Sequence, residues 1–182
     1  MQFTTLNSTT VFTGRVFTLR QDKVRLPDGN TTTLDILQHN GGIAIVPIDE
    51  RGNVWFVRQY RQAAGQVLLE IPAGTLEPGE TPEENVHREL REEIGMDARQ
   101  VTPIGACFLA PGYSSEYMRL FLARDLFPAS LEGDADEFIE VVRIPFAQAL
   151  QMIPQGAFQD AKTILGLLWV QTLLQQESSL TR

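Results

Sequence analysis

Residues 81–95 constrain this chain more than any other stretch. Thr81-Pro82-Glu83-Glu84 combines a capping threonine, a proline at the first helical position and a glutamate three residues after the cap. Gly95 supplies the stop. The spacing predicts a helix over about 82–94, with Val86, Leu90 and Ile94 at i, i+4 and i+8 as the apolar stripe that pins it to a core. At 100° per residue Glu93 lies about 40° from Glu89, and Glu92 about 60° to the other side. Three carboxylates therefore share one face near the negative end of the helix, against both pair repulsion and the macrodipole. A purely structural helix favours lysine there. Arg88, four residues from both Glu84 and Glu92, is expected to neutralise part of this face but not the Glu89/Glu93 pair. Such a face is either splayed into water or held by a cation. Hard oxygen donors of this kind suit Mg²⁺ or Mn²⁺, which take their remaining ligands from water and phosphate oxygens.

The helix belongs to a wider acidic region. Glu70, Glu77, Glu80, Glu83, Glu84, Glu89, Glu92 and Glu93 fall within 24 residues, and a second cluster holds Glu132, Asp134, Asp136, Glu137 and Glu140. The whole chain of 182 residues carries a formal net charge of −8 and a pI near 4.8. That balance argues against a nucleic-acid binder, which needs a basic face for phosphate contacts. The length predicts one domain, or one domain with a small appendage. A single cysteine, Cys107, excludes an intramolecular disulfide and a cysteine-based zinc cluster. The apolar runs at 41–48 and 164–170 are too short to span a bilayer. The start has no basic segment followed by an apolar one, so no membrane partner and a cytoplasmic location are expected.

Elsewhere the pattern alternates between strands and helices. From Val11 to about Gln38 it is β-like, with Pro27-Asp28-Gly29-Asn30 as a hairpin turn between two strands. This piece is short for an independent core and is expected to pack on something else. GGIAIVPI and VWFVRQY (54–60), separated by a turn at 49–53, are expected to form another hairpin. Further strands are expected at 67–71, 101–109, 117–123 and 138–144. Helices are expected at about 146–153 and from an Asp160 N-cap onward, the latter carrying Ile164, Leu167, Leu168, Leu173 and Leu174 at helical spacing for core or dimer packing. The fold class is α/β, in the layered α+β sense, with a mixed sheet. His39, His87 and Cys107 have no second ligand at metal spacing and read as packing or surface residues.

Gly74, five residues, Glu80, seven residues, then Arg88-Glu89-Leu90-Arg91-Glu92-Glu93-Ile94-Gly95-Met96 resembles the box of the Nudix hydrolases at every fixed position. Val57-Arg58-Gln59-Tyr60-Arg61, Leu68 to Gly74, Pro111-Gly112-Tyr113-Ser114-Ser115-Glu116 and Asp160-Ala161-Lys162-Thr163 look like the ADP-ribose pyrophosphatase and nucleotide-sugar pyrophosphatase subfamily. The resemblance runs from about residue 41 to 170 and is weaker in the N-terminal strands. It implies an α/β/α sandwich with a mixed sheet, preceded by an N-terminal antiparallel β segment. It divides the chain into residues 1–40, a segment of the kind exchanged across a homodimer, and residues 41–182, the hydrolase domain.

The activity it implies is Mg²⁺-dependent hydrolysis of ADP-ribose to AMP and ribose 5-phosphate, with Mn²⁺ as a substitute. Another nucleoside diphosphate sugar, such as GDP-mannose or ADP-glucose, is the alternative substrate, and a non-catalytic nucleotide sensor the alternative class. By the resemblance Glu89 and Glu93 hold metal, Glu92 joins or supports them, and the Ala73 carbonyl is a further ligand. Glu92 and Glu93, with Glu137, carry the catalysis. Glu80 and Arg88 brace the loop on the helix or act in catalysis, while Gly74 and Gly79 permit tight turns. Arg61 contacts substrate phosphates or forms a surface salt bridge. Glu116 reaches the substrate or is a solvated loop acid, and Gly112 stands with it as a substrate-binding position. Glu137 matches the loop glutamate that binds metal or acts as base. The other loop glutamate of this subfamily is replaced here by Ala135, which leaves Asp134, Asp136 or the metal alone as alternatives for generating the nucleophile.

Overall fold

The computed structural model describes residues 2–133 and 138–180. They divide into two compact units, Met1–Gly41 with Cys107–Tyr117, and Gly42–Ala106 with Met118–Arg182.

The first unit is built on an antiparallel sheet of β1 (Thr4–Thr13), β2 (Phe17–Arg25) and β3 (Thr31–His39), in that order. Three strands form where two were expected, because the threonine-rich stretch before Val11 pairs along the full length of β2. The β2–β3 turn closes as anticipated, with the Asp28 carboxylate accepting bonds from the backbone N–H and side-chain amide of Asn30. Of residues 2–40 only Asp22 and Val24 are buried. Phe3, Leu6, Val11, Phe12, Val16 and Phe17 are all exposed. A sheet of this size cannot bury its own apolar side chains.

The second unit holds two sheets. One has the order β7-β4-β9-β8, from β4 (Gly42–Pro47), β7 (Ala73–Thr75), β8 (Met96–Phe108) and β9 (Tyr117–Pro128). β4 runs antiparallel to β7 and parallel to β9, so the sheet is mixed. The other sheet has the order β10-β5-β6, from β5 (Asn53–Arg61), β6 (Gln66–Glu70) and β10 (Glu140–Pro145). The helices are α1 (Pro82–Glu93), α2 (Phe146–Met152) and α3 (Ala161–Leu180).

The expected hairpin between 41–48 and 54–60 does not form. The two strands share one bridge, Ile48 with Val54, and then part into different sheets. Every residue of β4 is buried, and a strand apolar on both faces belongs at the centre of a covered sheet rather than in a two-stranded ribbon.

Alternation along β4 sorts the two helices onto opposite faces. Ile43 and Ile45 join Val86, Leu90 and Ile94 of the α1 region, together with Trp55, Val57 and Phe121, in one core. On the other face Val46, Leu120 and Ile71 approach Gly166 of α3. A β-carbon at Gly166 would stand 3.0 Å from both Ile71 and Val46, so the glycine sets how closely helix and sheet approach. The buried face of α3 accordingly runs through Thr163, Gly166, Leu167 and Val170. Leu168, on the stripe expected to serve core or dimer packing, is 42% exposed. The layered α/β/α arrangement with a mixed sheet is thus present.

Candidate active site

Local sequence sets the start of α1. Thr81 Oγ1 accepts the Glu84 N–H at 3.2 Å, and the Glu84 carboxylate accepts the Thr81 N–H at 2.8 Å. This capping box occupies Glu84, which is why Arg88 does not pair with it. Arg88 instead forks onto Glu80, with Nε to Oε1 at 2.9 Å and Nη2 to Oε2 at 3.2 Å. Its Nη1 reaches Glu92 at 2.8 Å and Glu89 at 2.8 Å. The expectation that Arg88 leaves Glu89 unneutralised is therefore corrected. Adjacent helical positions diverge by about 100°, yet a long guanidinium spans from one carboxylate to the other.

Glu80 closes the loop before the helix. Its carboxylate also accepts the Asn85 amide at 2.6 Å, and the same amide donates to the Thr75 carbonyl at 2.8 Å. Burial by itself would raise the Glu80 carboxyl, but the bonds from Arg88 and Asn85 outweigh it and hold the group below the usual carboxylate range. Loop 75–81 is thereby strapped to α1.

Glu89 and Glu93 turn toward β7. Glu89 is 7% exposed and Glu93 is 5% exposed. Glu93 Oε2 accepts the Ala73 N–H at 3.0 Å. The Glu89 carboxylate lies over Gly74, where a β-carbon would meet Glu89 Oε1 at 1.7 Å. Gly79 does occupy a turn conformation at φ +89°, but Gly74 is required for a different reason, to leave room for Glu89.

Burying two carboxylates one helical turn apart is unfavourable unless positive charge compensates them. Three hard oxygen donors at the end of one helix match the chemistry of a divalent cation such as Mg²⁺. Among the described residues no three His, Cys, Asp or Glu side chains are already gathered as a metal cage. Arg88 supplies positive charge between Glu89 and Glu92 in this arrangement.

A second charged cluster lies beside the first. Arg61, at the end of β5, donates from Nε to Glu70 Oε1 at 2.9 Å and from Nη2 to Oε2 at 2.7 Å. Glu70, at the end of β6, is 1% exposed, and Lys162 Nζ also donates to its Oε2. Lys162 pairs in turn with Asp160 at 3.0 Å. Asp160 caps α3 as expected, accepting the Thr163 N–H and hydroxyl at 3.0 Å and 2.6 Å. Thr163 Oγ1 also accepts the Ile71 N–H at 2.9 Å. Burial would raise the Glu70 carboxyl, but Arg61 and Lys162 outweigh it and lower it. The Arg61 guanidinium is held above its ordinary value by its bonds to Glu70, with the charges of Glu93 and Asp160 adding to the effect. Arg61 is thus ion-paired, to a buried carboxylate rather than a surface one.

Of the residues singled out from sequence, Ala73 bonds Glu93, Glu89 lies over the neighbouring Gly74, Glu92 is linked to Glu89 through Arg88, and the charge of Glu93 reaches Arg61. Glu116 and Gly112 belong to the first unit. There Glu116 is half-buried, its N–H donating to Ser114 Oγ at 3.1 Å, and Gly112 is exposed. Glu137, Asp134, Asp136 and Ala135 lie outside the described residues. Glu70 and Lys162 were not singled out as site residues. Their sequence signal was confined to the stretches 68–74 and 160–163, because a contact 92 positions apart leaves no periodicity to read. His87 meets Asp97 at 2.5 Å, a local pairing.

Comparison with known proteins agrees with this geometry. The NUDIX domain model matches residues 38–167, and the model for the nucleoside diphosphate sugar hydrolase N-terminal domain matches residues 3–33. The chain is 36% identical over 163 residues to the ADP-ribose pyrophosphatase of Bacillus subtilis, covering 88% of each protein. It is 38% identical over 173 residues to the ADP-ribose pyrophosphatase of Mycobacterium tuberculosis, covering 92% of this chain and 83% of that one. A crystal structure of an ADP compounds hydrolase superposes with a TM-score of 0.89 at 30% identity, covering 97% of this chain and 96% of that one. With a domain match across more than two thirds of its length and the capped glutamate helix docked on the glycine strand, the chain belongs to the Nudix hydrolase family.

Proposed function

We propose that this chain hydrolyses the diphosphate linkage of ADP-ribose, releasing AMP and ribose 5-phosphate, with Mg²⁺ as its metal and Mn²⁺ as a substitute. The observation that carries the reading is the pair of nearly buried carboxylates, Glu89 and Glu93, seated on Ala73 and Gly74. Glu89, Glu92 and Glu93, with the Ala73 carbonyl and Glu137, would hold the divalent cation. When bound, that cation supplies a water acidified for attack on phosphorus and neutralises charge developing on the phosphate oxygens. Arg61 offers a planar donor edge to the diphosphate, a task suited to guanidinium. Glu116 and Gly112 are assigned as substrate-binding positions, and Glu137 is the first choice of general base.

The N-terminal match favours a second reading in which another nucleoside diphosphate sugar is preferred. The glutamate helix addresses only the diphosphate, so both readings share one catalytic face. We also assign residues 1–40 to strand exchange in a homodimer and 41–182 to the hydrolase domain. The exposed apolar side chains of β1 and β2 support this assignment. No helix among the described residues is long and apolar enough to cross a membrane. The lone cysteine suits the reducing cytoplasm.

The test is turnover of purified protein with Mg²⁺ against ADP-ribose, ADP-glucose, GDP-mannose and a nucleoside triphosphate. A lead for ADP-ribose of about tenfold in kcat/KM, or 1.4 kcal/mol, supports the first reading. A lead for another diphosphate supports the second. No turnover with either metal would sink both. Light scattering at micromolar concentration, expected to give twice the chain mass of 20.4 kDa, tests the dimer.

A further inference from the structure

We propose that Glu70 and Lys162 are positioning residues that hold the guanidinium of Arg61 in a fixed fork, keeping Nη1 available to an anionic diphosphate. The inference rests on the reading of Arg61 as a phosphate contact and goes beyond it by naming what orients that contact.

The geometry is specific. Both oxygens of Glu70 are spent on Arg61, one through Nε and the other through Nη2. Nη1 takes no partner among the described residues, and the side chain remains 41% exposed. A guanidinium is planar, so two bonds along one edge fix the direction of the other edge. Glu70 cannot do this alone, because a carboxylate that is 1% exposed needs compensation at every lone pair. Lys162, itself 7% exposed, supplies it at the oxygen it shares with Nη2 of Arg61. Asp160 steadies Lys162 from the start of α3.

Stability alone is a weak reason for such a cluster. Well-packed apolar groups of similar volume commonly serve as well as a buried ion pair or better, so orientation is the more informative role. Position points the same way. The α3 start grips residues 70 and 71, through Lys162 and through the Ile71–Thr163 bond. Two residues later come Ala73 and Gly74, which seat Glu93 and Glu89. One clamp therefore registers the phosphate-reading arginine and the strand under the carboxylates.

The experiment is a double-mutant cycle read by binding. Full-length protein with Mg²⁺ is titrated calorimetrically with ADP-ribose carrying a methylene bridge in place of the bridging diphosphate oxygen. Lys162→Met and Lys162→Gln are each made alone and in an Arg61→Gln background, and the second substitution keeps hydrogen-bonding capacity if the first fails to fold. Each lysine substitution is expected to raise Kd by about tenfold in the parent and by less than about twofold in the Arg61→Gln background. With ADP-ribose the loss is expected in KM, with kcat within about threefold, a split that general destabilisation does not produce. An unchanged Kd in the parent, or an equal loss in both backgrounds, overturns the proposal. A parent that neither binds the analogue nor turns over any diphosphate overturns the functional reading itself, and is seen before any variant is compared.

Discussion

The carboxylate of Glu89 occupies the space that a β-carbon on Gly74 would fill, 1.7 Å from Oε1 and 2.0 Å from the carboxyl carbon. The atoms in conflict are the far end of a flexible side chain, so Gly74→Ala should displace Glu89 and leave the backbone in place. Turnover is expected to fall by about 10- to 100-fold with a raised Mg²⁺ requirement. The melting temperature should drop by no more than about 4 °C. Metal-titrated kinetics alongside thermal unfolding check this, and wild-type Mg²⁺ dependence would contradict it.

Glu93 separates charge from packing. A glutamine at this position can still accept the Ala73 N–H through its amide oxygen. Glu93→Gln should therefore fold normally while losing more than about 100-fold in kcat/KM, as the charge on the ligand face is removed. Circular dichroism with Mg²⁺-dependent turnover decides the matter. Near-wild-type rates would show that this face holds no metal.

The brace between Arg88 and Glu80 should be visible in acid. Glu80 sits below its ordinary value of 4.5 in the folded state, so its contribution is complete above that value and is lost as pH falls through the lowered one. Glu80→Gln should cost about 1–2 kcal/mol at pH 7. The gap from wild type should narrow steadily from about pH 5 toward pH 3. Urea unfolding at stepped pH gives the comparison, and a gap independent of pH would refute the charge assignment.

Thr81 offers a control away from the chemistry. Thr81→Ala removes the cap on the Glu84 N–H and should cost about 1 kcal/mol. That corresponds to about 2–4 °C in a chain of this size. The kinetic constants for the leading substrate should stay within about twofold of the parent.

Much of α1 was legible in the sequence because helix signals are local. The Thr81 cap, the Glu84 return bond, the Val86-Leu90-Ile94 stripe and the stop before Gly95 all lie within 15 residues, and the structure places them as the spacing predicts. The face carrying Glu89, Glu92 and Glu93 follows from the same arithmetic of 3.6 residues per turn. Spacing alone left one point open there: Arg88 stands four residues from both Glu84 and Glu92, and it pairs with Glu92 because the capping box takes Glu84.

Tertiary structure decided what joins distant segments. Adjacency in sequence suggested that β4 and β5 would pair, but burial of β4 on both faces gave it β7 and β9 as neighbours instead. The role of Gly74 became visible only once α1 was docked, since no backbone angle of its own demands glycine. Arg61, Glu70 and Lys162 met because β5, β6 and the start of α3 converge in space. Side-chain periodicity encodes which face a residue occupies. Which faces meet is settled by closing loops and burying apolar area across the whole domain. The chemistry of the glutamate helix was therefore written in one short stretch of sequence, while the groups that aim Arg61 were assembled by packing.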